Sequence, residues 1–227
     1  MSEFADYLTV SGISVSESTV KGSRFIGIAM PCTCEEDIRS NLKRVQTDFP
    51  NATHYCYGAV FGGTNRSERS SDNGEPSGTA AKPILSVIRG NSLTDTMIVV
   101  VRYFGGTLLG TGGLVHAYTE SAEESLKCAS IRRMHACSVF AITLGYPDLN
   151  PFNSKCANLC AEPPKYVYEA SVSIEAAVPV GKAEEFLAAV SEATERRARV
   201  VPLGSGYRRR ARLHAHSYYM GVAYPFP

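Results

Sequence analysis

The run Phe104-Gly-Gly-Thr-Leu-Leu-Gly-Thr-Gly-Gly-Leu114 follows an apolar stretch, Ile98 to Val101, and leads into a segment with helical spacing. Strand, glycine-rich loop and helix in that order make a ready anion site, because backbone N–H groups at a helix N-terminus point outward and carry partial positive charge. Arg102 stands near the strand's end. Gly105, Gly106, Gly110, Thr111, Gly112 and Gly113 form the loop, and His116 lies just beyond it. These are the candidate anion- or partner-binding residues. Two nucleotide signatures fail on inspection: Gly105 and Gly110 have P-loop spacing, but Thr111 stands where that loop needs lysine. Gly110 and Gly112 lack the third glycine of a dinucleotide fingerprint. Glycines also serve positive φ and close packing, so a purely conformational role stands beside the anion role.

The second polar concentration is Arg66-Ser-Glu-Arg-Ser-Ser-Asp-Asn-Gly-Glu-Pro-Ser-Gly-Thr-Ala-Ala-Lys-Pro83. Asp72 and Glu75, three apart, with Lys82 close in sequence and Arg102 at a strand end, have the composition of an acid–base or metal pair. Equally, Asp72-Asn73-Gly74 is a turn signal, and Ser77 or Thr79 suits a helix cap. His54, at the head of a strand, joins these candidates, although structural hydrogen bonding is the commoner use of such a histidine. No Ser, His, Asp constellation and no metal-ligand run stands out, so no catalytic residue, metal or cofactor is assigned. Arginines 196, 197, 199, 208, 209, 210 and 212 form the one dense basic run. It reads either as a solvated tail or as an electrostatic contact to RNA or an acidic protein; His214 and His216 lie in the aromatic tail beyond.

A chain of 227 residues has room for two small modules, and 44% hydrophobic with 20% charged residues is an ordinary globular composition. The net charge of +1 exerts no global pull toward nucleic acid or membrane, so any electrostatic function must come from local patches. Seven cysteines without regular spacing argue against a disulfide framework. Cys32 and Cys34 are too close for a zinc knuckle, and Cys156 and Cys160 have no second pair at ligand spacing, so reduced, structural thiols are expected. The N-terminus lacks a signal-peptide pattern and no window approaches a transmembrane span, from which a cytoplasmic location is expected.

Periodicity predicts the elements that must hold the two polar stretches. Gly22–Pro31 reads as a strand. A helix opens at Thr33, with Glu36 as the second half of a capping box and Ile38, Leu42, Val45 and Phe49 on one face. His54–Phe61 reads as a strand and residues 62–78 as a polar loop. A helix starts near Thr79, with Pro83 in its first turn. Met97–Phe104 is a strand whose continuous apolar run suggests burial on both faces, and Leu114–Lys127 a helix with Leu114, Tyr118, Ala122 and Leu126 in one row. Ser138–Tyr146 is a strand, with Pro147–Pro151 a connection. Tyr166–Val178 is a strand, Val180–Arg197 a helix and Arg199–Leu203 a last strand, a series consistent with a ferredoxin-like unit. The boundary falls near Ser130–Cys137, giving domains of 1–133 and 134–207 and a basic, aromatic tail of 208–227.

Three long motifs then occur together: Ala52-Thr-His-Tyr-Cys56, Ser71-Asp-Asn-Gly-Glu-Pro-Ser-Gly-Thr-Ala-Ala-Lys-Pro-Ile-Leu85 and Val99-Val-Val-Arg-Tyr-Phe-Gly-Gly-Thr-Leu-Leu-Gly-Thr-Gly-Gly-Leu-Val-His-Ala-Tyr118. They closely resemble the signature of the IMPACT family, whose bacterial members are YigZ-like, and Lys21–Ile26 resembles that family's opening strand. The resemblance covers about residues 22–126. It implies an α+β protein: an N-terminal domain like the second domain of ribosomal protein S5 and a C-terminal ferredoxin-like domain. Ala81 stands where the family prefers glycine, Asn73 where it prefers aspartate and His116 where arginine is usual. The resemblance implies a non-enzymatic regulatory protein linked to translation, binding RNA phosphate, the ribosome or a translation-associated protein through the glycine loop and the Asp72–Lys82 loop. The alternatives are an enzyme, a hydrolase or small-molecule phosphotransferase using the same groove, and a pure protein-interaction module.

Overall fold

The computed structural model describes residues 5–63 and 65–209. The described chain packs as two compact units: residues 5–136 with Ser205–Tyr207, and Cys137–Gly204 with residues 208–209. The first unit runs β1 (Tyr7–Val10), β2 (Ser14–Val20), β3 (Ser23–Pro31), α1 (Glu35–Asp48), β4 (His54–Phe61), β5 (Ser67–Ser71), α2 (Ala81–Gly90), β6 (Thr96–Tyr103) and α3 (Gly110–Lys127). Its main sheet has the order β2-β3-β6-β4-β5, every neighbour antiparallel. β6 is the central strand, and both of its faces are buried. Ile98 and Val100 pack with Ile84, Ile88 and Tyr118 of α2 and α3. Met97, Val99 and Val101 pack with Ile38 and Val45 of α1. Helices on both faces of the sheet explain the unbroken apolar run that the strand's sequence shows.

The structure corrects several local readings. At the head of α1, Thr33 donates from both its N–H (2.7 Å) and its hydroxyl (2.8 Å) to Asp37 Oδ2, and Cys34 holds the N-cap position, so Asp37 rather than Glu36 closes this end. The stretch 62–78 contains the edge strand β5, whose Ser-Glu-Arg-Ser-Ser sequence has no apolar alternation to reveal it. Its charges are tied down by Arg69–Glu35 and Arg89–Glu68 pairs, which suit an exposed sheet edge. Most consequentially, α3 begins at Gly110, so the last glycines of the loop are the helix's first turn. The row Leu114, Tyr118, Ala122 and Leu126 is buried.

β7 (Ile131–Leu144) pairs with β1 in the first unit and then enters the second, followed by α4 (Tyr146–Lys155), β8 (Lys165–Tyr168), β9 (Val172–Pro179), α5 (Ala183–Ala193) and β10 (Arg199–Arg209). The strand order β10-β7-β9-β8 with a βαββαβ succession is the ferredoxin-like arrangement. Phe140, Phe152 and Phe186 centre its core, with ring centroids 5.8 and 6.3 Å apart. Residues 147–151, read as a connection, lie inside α4, where Pro147 sits in the first turn and needs no N–H partner. Tyr166–Val178 is two strands, not one. The helix expected to reach Arg197 stops at Ala193, because Glu195 and Arg196 adopt φ of 48° and 64°. Of the basic run, Arg197 pairs with Asp148 (2.6 Å) and Glu195 (2.7 Å), and Arg208 with Glu162 (2.8 Å), so these are internal ion pairs rather than a free tail. Arg210, Arg212, His214, His216 and the rest of the tail lie outside the described residues. Among the described residues no helix is long and apolar enough to cross a membrane.

Candidate functional site

The two polar stretches meet around one side chain. Arg102 is 4% exposed at the end of β6, and its Nη1 donates to Glu75 Oε1 at 2.6 Å while Nη2 donates to Ser23 Oγ at 3.2 Å. The rings of Phe25 and Phe104 lie 5.4 and 5.5 Å from the guanidinium carbon, so the cation is held between two aromatic groups. Tyr118 of α3 donates its hydroxyl to the same Glu75 oxygen at 2.7 Å, and His54 Nε2 lies 3.7 Å from it. A buried ion pair with these additional hydrogen bonds offsets its own desolvation, and such a pair specifies position more than it stabilises. One donor is left over: among the described residues Arg102 Nε is the buried side-chain nitrogen or oxygen without a hydrogen-bond partner.

Asp72 has a different use. Its Oδ2 accepts from Gly78 N–H at 2.8 Å, and its Oδ1 from Ala80 and Ala81 N–H at 3.0 and 2.8 Å, so it closes the N-terminus of α2 from a loop upstream. Burial alone raises its pKa, but the three backbone donors and nearby Lys82 together outweigh burial and hold it below the ordinary value. Asp72 is thus committed to the α2 N-terminus, a use different from the acid–base or metal pairing with Glu75 that the sequence offered. Asn73 supports β4: its Oδ1 accepts from Tyr55 N–H at 2.7 Å, and its carbonyl lies 2.8 Å from His54 Nδ1. A carbonyl only accepts, so Nδ1 carries the proton and, in the neutral ring, Nε2 presents a lone pair. Behind Glu75, the Cys56 thiol lies 2.9 Å from the Asp72 carbonyl and 3.3 Å from the Tyr118 hydroxyl. Burial pushes this thiol up to about 12, which keeps it protonated and unreactive.

The glycine loop supplies the opposite wall. A Cβ on Gly105 would come within 2.0 Å of the Gly22 backbone, so glycine there lets the loop lie on the β2–β3 turn, where Gly105 N–H donates to Ser23 Oγ at 3.1 Å. Gly106 and Gly110 adopt φ of 84° and 72°. Gly112 is different. Its φ is not in the left-handed region and a Cβ there would meet nothing within 4 Å, so packing does not call for glycine. Glycine in a helix turn costs about 0.5–1 kcal/mol relative to alanine. At this position it leaves the backbone of the first turn bare. Among the described residues no side chain caps α3, and its first turn holds no acidic residue.

Between these walls lies a cleft of about 420 Å³ lined by Thr53, His54, Glu75, Pro76, Arg102, Phe104, Leu108, Leu109, Gly110, Thr111 and Leu114. Of the residues singled out from sequence, it gathers His54, Glu75, Arg102, Gly110 and Thr111. Gly105 and Gly106 shape the loop, Asp72 caps α2, and the Thr79 hydroxyl donates to the Pro76 carbonyl at 2.7 Å. Ser77, Lys82, Gly112, Gly113 and His116 are outside the lining, and Ser77, Lys82 and His116 are exposed. Sequence reasoning missed the apolar lining. Its signal was the Leu108-Leu109 pair in an otherwise glycine and threonine loop, and Leu108 is 83% exposed at the mouth. Among the described residues no group of three His, Cys, Asp or Glu side chains is placed to hold a metal ion.

An antiparallel α+β unit carrying such a cleft is joined to a ferredoxin-like unit, and comparison with known proteins shows which family has this architecture. The profile described as the Impact N-terminal domain matches residues 21–126. An IMPACT family member of Haemophilus influenzae is 34% identical over 190 residues, covering 83% of this chain and 92% of its own. The IMPACT family member YigZ of Escherichia coli is 32% identical over 175 residues, covering 76% and 86%. A crystal structure described as that of a hypothetical protein superposes with a TM-score of 0.64 at 28% identity, covering 86% of this chain and 96% of that one. The chain belongs to the IMPACT family.

Proposed function

We propose that this chain is a non-enzymatic regulatory protein of translation, acting in the cytoplasm, whose first unit docks a translation-associated protein in the cleft under the glycine loop. The observation that carries this reading is the cleft's composition: apolar walls from Pro76, Phe104, Leu108, Leu109 and Leu114, and a single buried cation already paired with Glu75. Apolar walls with few convergent polar groups suit a side chain of a partner protein. Recognition of RNA backbone rests instead on several unpaired lysines or arginines, so RNA phosphate is the second reading, favoured by the uncapped N-terminus of α3. An enzymatic role is disfavoured by the protonated Cys56 and by the use of Asp72 as the cap of α2.

Co-sedimentation of the purified protein with ribosomes and purified translation factors across a salt series tests both readings. Protein docking is expected to survive nuclease, to depend weakly on salt and to be lost in Leu108→Asp. Steep salt dependence with nuclease sensitivity supports the RNA reading. Absence of binding under every condition overturns the translation-linked role.

A further inference from the structure

We propose that the free edge of β8 is a self-association surface: two copies of the chain pair their β8 strands antiparallel about a two-fold axis at Val167, joining their second-unit sheets into one. The surface is separate from the cleft and does not depend on what the cleft binds. β8 ends the strand order β10-β7-β9-β8, so its outer side has no strand partner among the described residues. An exposed edge is a template for another strand, and proteins blunt such edges with proline or charge. The opposite edge, β10, is interrupted by Pro202, which has no N–H to donate. β8 reads Lys165-Tyr-Val-Tyr168 without proline or glycine, and Val167 and Tyr168 are 56% and 59% exposed. Tyr146, half exposed, reaches the end of the same edge, where its hydroxyl donates to the Glu169 carbonyl at 2.8 Å.

Charge and side-chain order along the edge select a second copy as its occupant. Lys165-Tyr166-Val167-Tyr168-Glu169 is complementary to itself when reversed: with Val167 opposite the other copy's Val167, each Lys165 meets a Glu169 and each Tyr166 a Tyr168. Alternation along β8 puts Lys165 and Val167 toward one face of the sheet and Tyr166 and Tyr168 toward the other. Lys165 lies opposite Glu175 of β9 and pairs with it at 3.1 Å, whereas Tyr166, opposite Ile174, packs on the second unit's core. An antiparallel pair whose axis runs through the sheet brings like faces together, so the tyrosines meet tyrosines on the core side and the valines meet on the other. The rings of Tyr166 and Tyr168 are stacked with centroids 6.1 Å apart, so the aromatic surface is preformed. Glu169 is exposed, and among the described residues no cation pairs with it; the second copy's lysine supplies one. Opposite charges and aromatic pairs directly across a ladder stabilise it, and like charges there destabilise it. A seam this short suits a concentration-dependent dimer rather than an obligate one.

Sedimentation velocity on the intact protein over about a hundredfold range of concentration tests this, and a monomer–dimer equilibrium is expected. Val167→Lys puts two lysines on the axis; it is expected to weaken the dimer about tenfold or more without lowering the melting temperature, since the side chain is exposed. The sharper arm is a pair of charge variants. Glu169→Lys and Lys165→Glu are each expected to weaken self-association about tenfold by setting like charges across the seam. An equimolar mixture of the two is expected to recover the dimer, because every cross-strand charge pair is then opposite in sign. Recovery on mixing separates the seam from loss of fold and from an interface elsewhere. A monomer at every concentration, a dimer that tolerates Val167→Lys and Glu169→Lys unchanged, or charge variants that fail to recombine would each overturn the inference.

Discussion

Two helices of the first unit begin close to the same polar loop, and their N-termini are treated in opposite ways. At α2 the protein supplies its own anion: Asp72 takes three N–H groups and is held in its charged form by them. At α3, among the described residues, no side chain caps the first turn, which carries glycines at 110, 112 and 113. The helix dipole and the orphan donors are equivalent at both ends. What differs is whether the fold or something external satisfies them. At α2 the fold closes its own helix end; at α3, among the described residues, no side chain does so.

The comparison can be broken most forcefully at the floor of the cleft. Arg102→Ala leaves Glu75 charged and buried, and a loss of about 3–5 kcal/mol is expected in urea unfolding. Replacing both partners, Arg102→Met with Glu75→Leu, is expected to recover most of that stability while abolishing cleft binding. Next in size, Asp72→Ala opens the α2 N-terminus and is expected to cost about 2 kcal/mol, the upper range for loss of a cap. Its pH dependence has a definite sign. Asp72 is lowered from 3.8 in the folded state, so its contribution is fully present above that value and is lost as the pH falls through the lower folded value. The stability gap between the native protein and Asp72→Asn is therefore expected to narrow below pH 3.8 and to stay constant from there to neutrality. Closing α3 runs the other way: Thr111→Asp is expected to add about 0.3–1 kcal/mol through the dipole, and Gly112→Ala about 0.5–1 kcal/mol through propensity. Smallest of all, Leu108→Asp is expected to change stability by less than about 0.5 kcal/mol, since its side chain is exposed, while removing docking.

Legibility followed the range of the interactions. The double burial of β6 was readable in Ile98–Val101, and the inward row of α3 in Leu114, Tyr118, Ala122 and Leu126, because both depend on spacing within one element. The candidate residues were readable as types, since arginine, glutamate and histidine are few among apolar strands. Their uses were not. Asp72 and Glu75 are three apart and look like a pair, yet one caps a helix whose first residue is nine positions on and the other bonds a strand 27 positions on. Asp37 displaced Glu36 at α1 because Thr33 turned its hydroxyl and its N–H toward the same oxygen. β5 left no trace in hydropathy because an edge strand exposed to solvent needs no apolar face.

By itself, the sequence determined the α+β class, the positions of most strands and helices, and the set of residues from which a site had to be drawn, because short-range periodicity and motif spacing are properties of the chain. Tertiary structure decided which of those residues share a cleft, that Asp72 belongs to α2 and Glu75 to Arg102, and that α3 starts inside the glycine loop with no side-chain cap among the described residues. Those outcomes turn on hydrogen bonds between elements far apart in the chain, whose partners are selected by packing and burial once the sheet has brought them together.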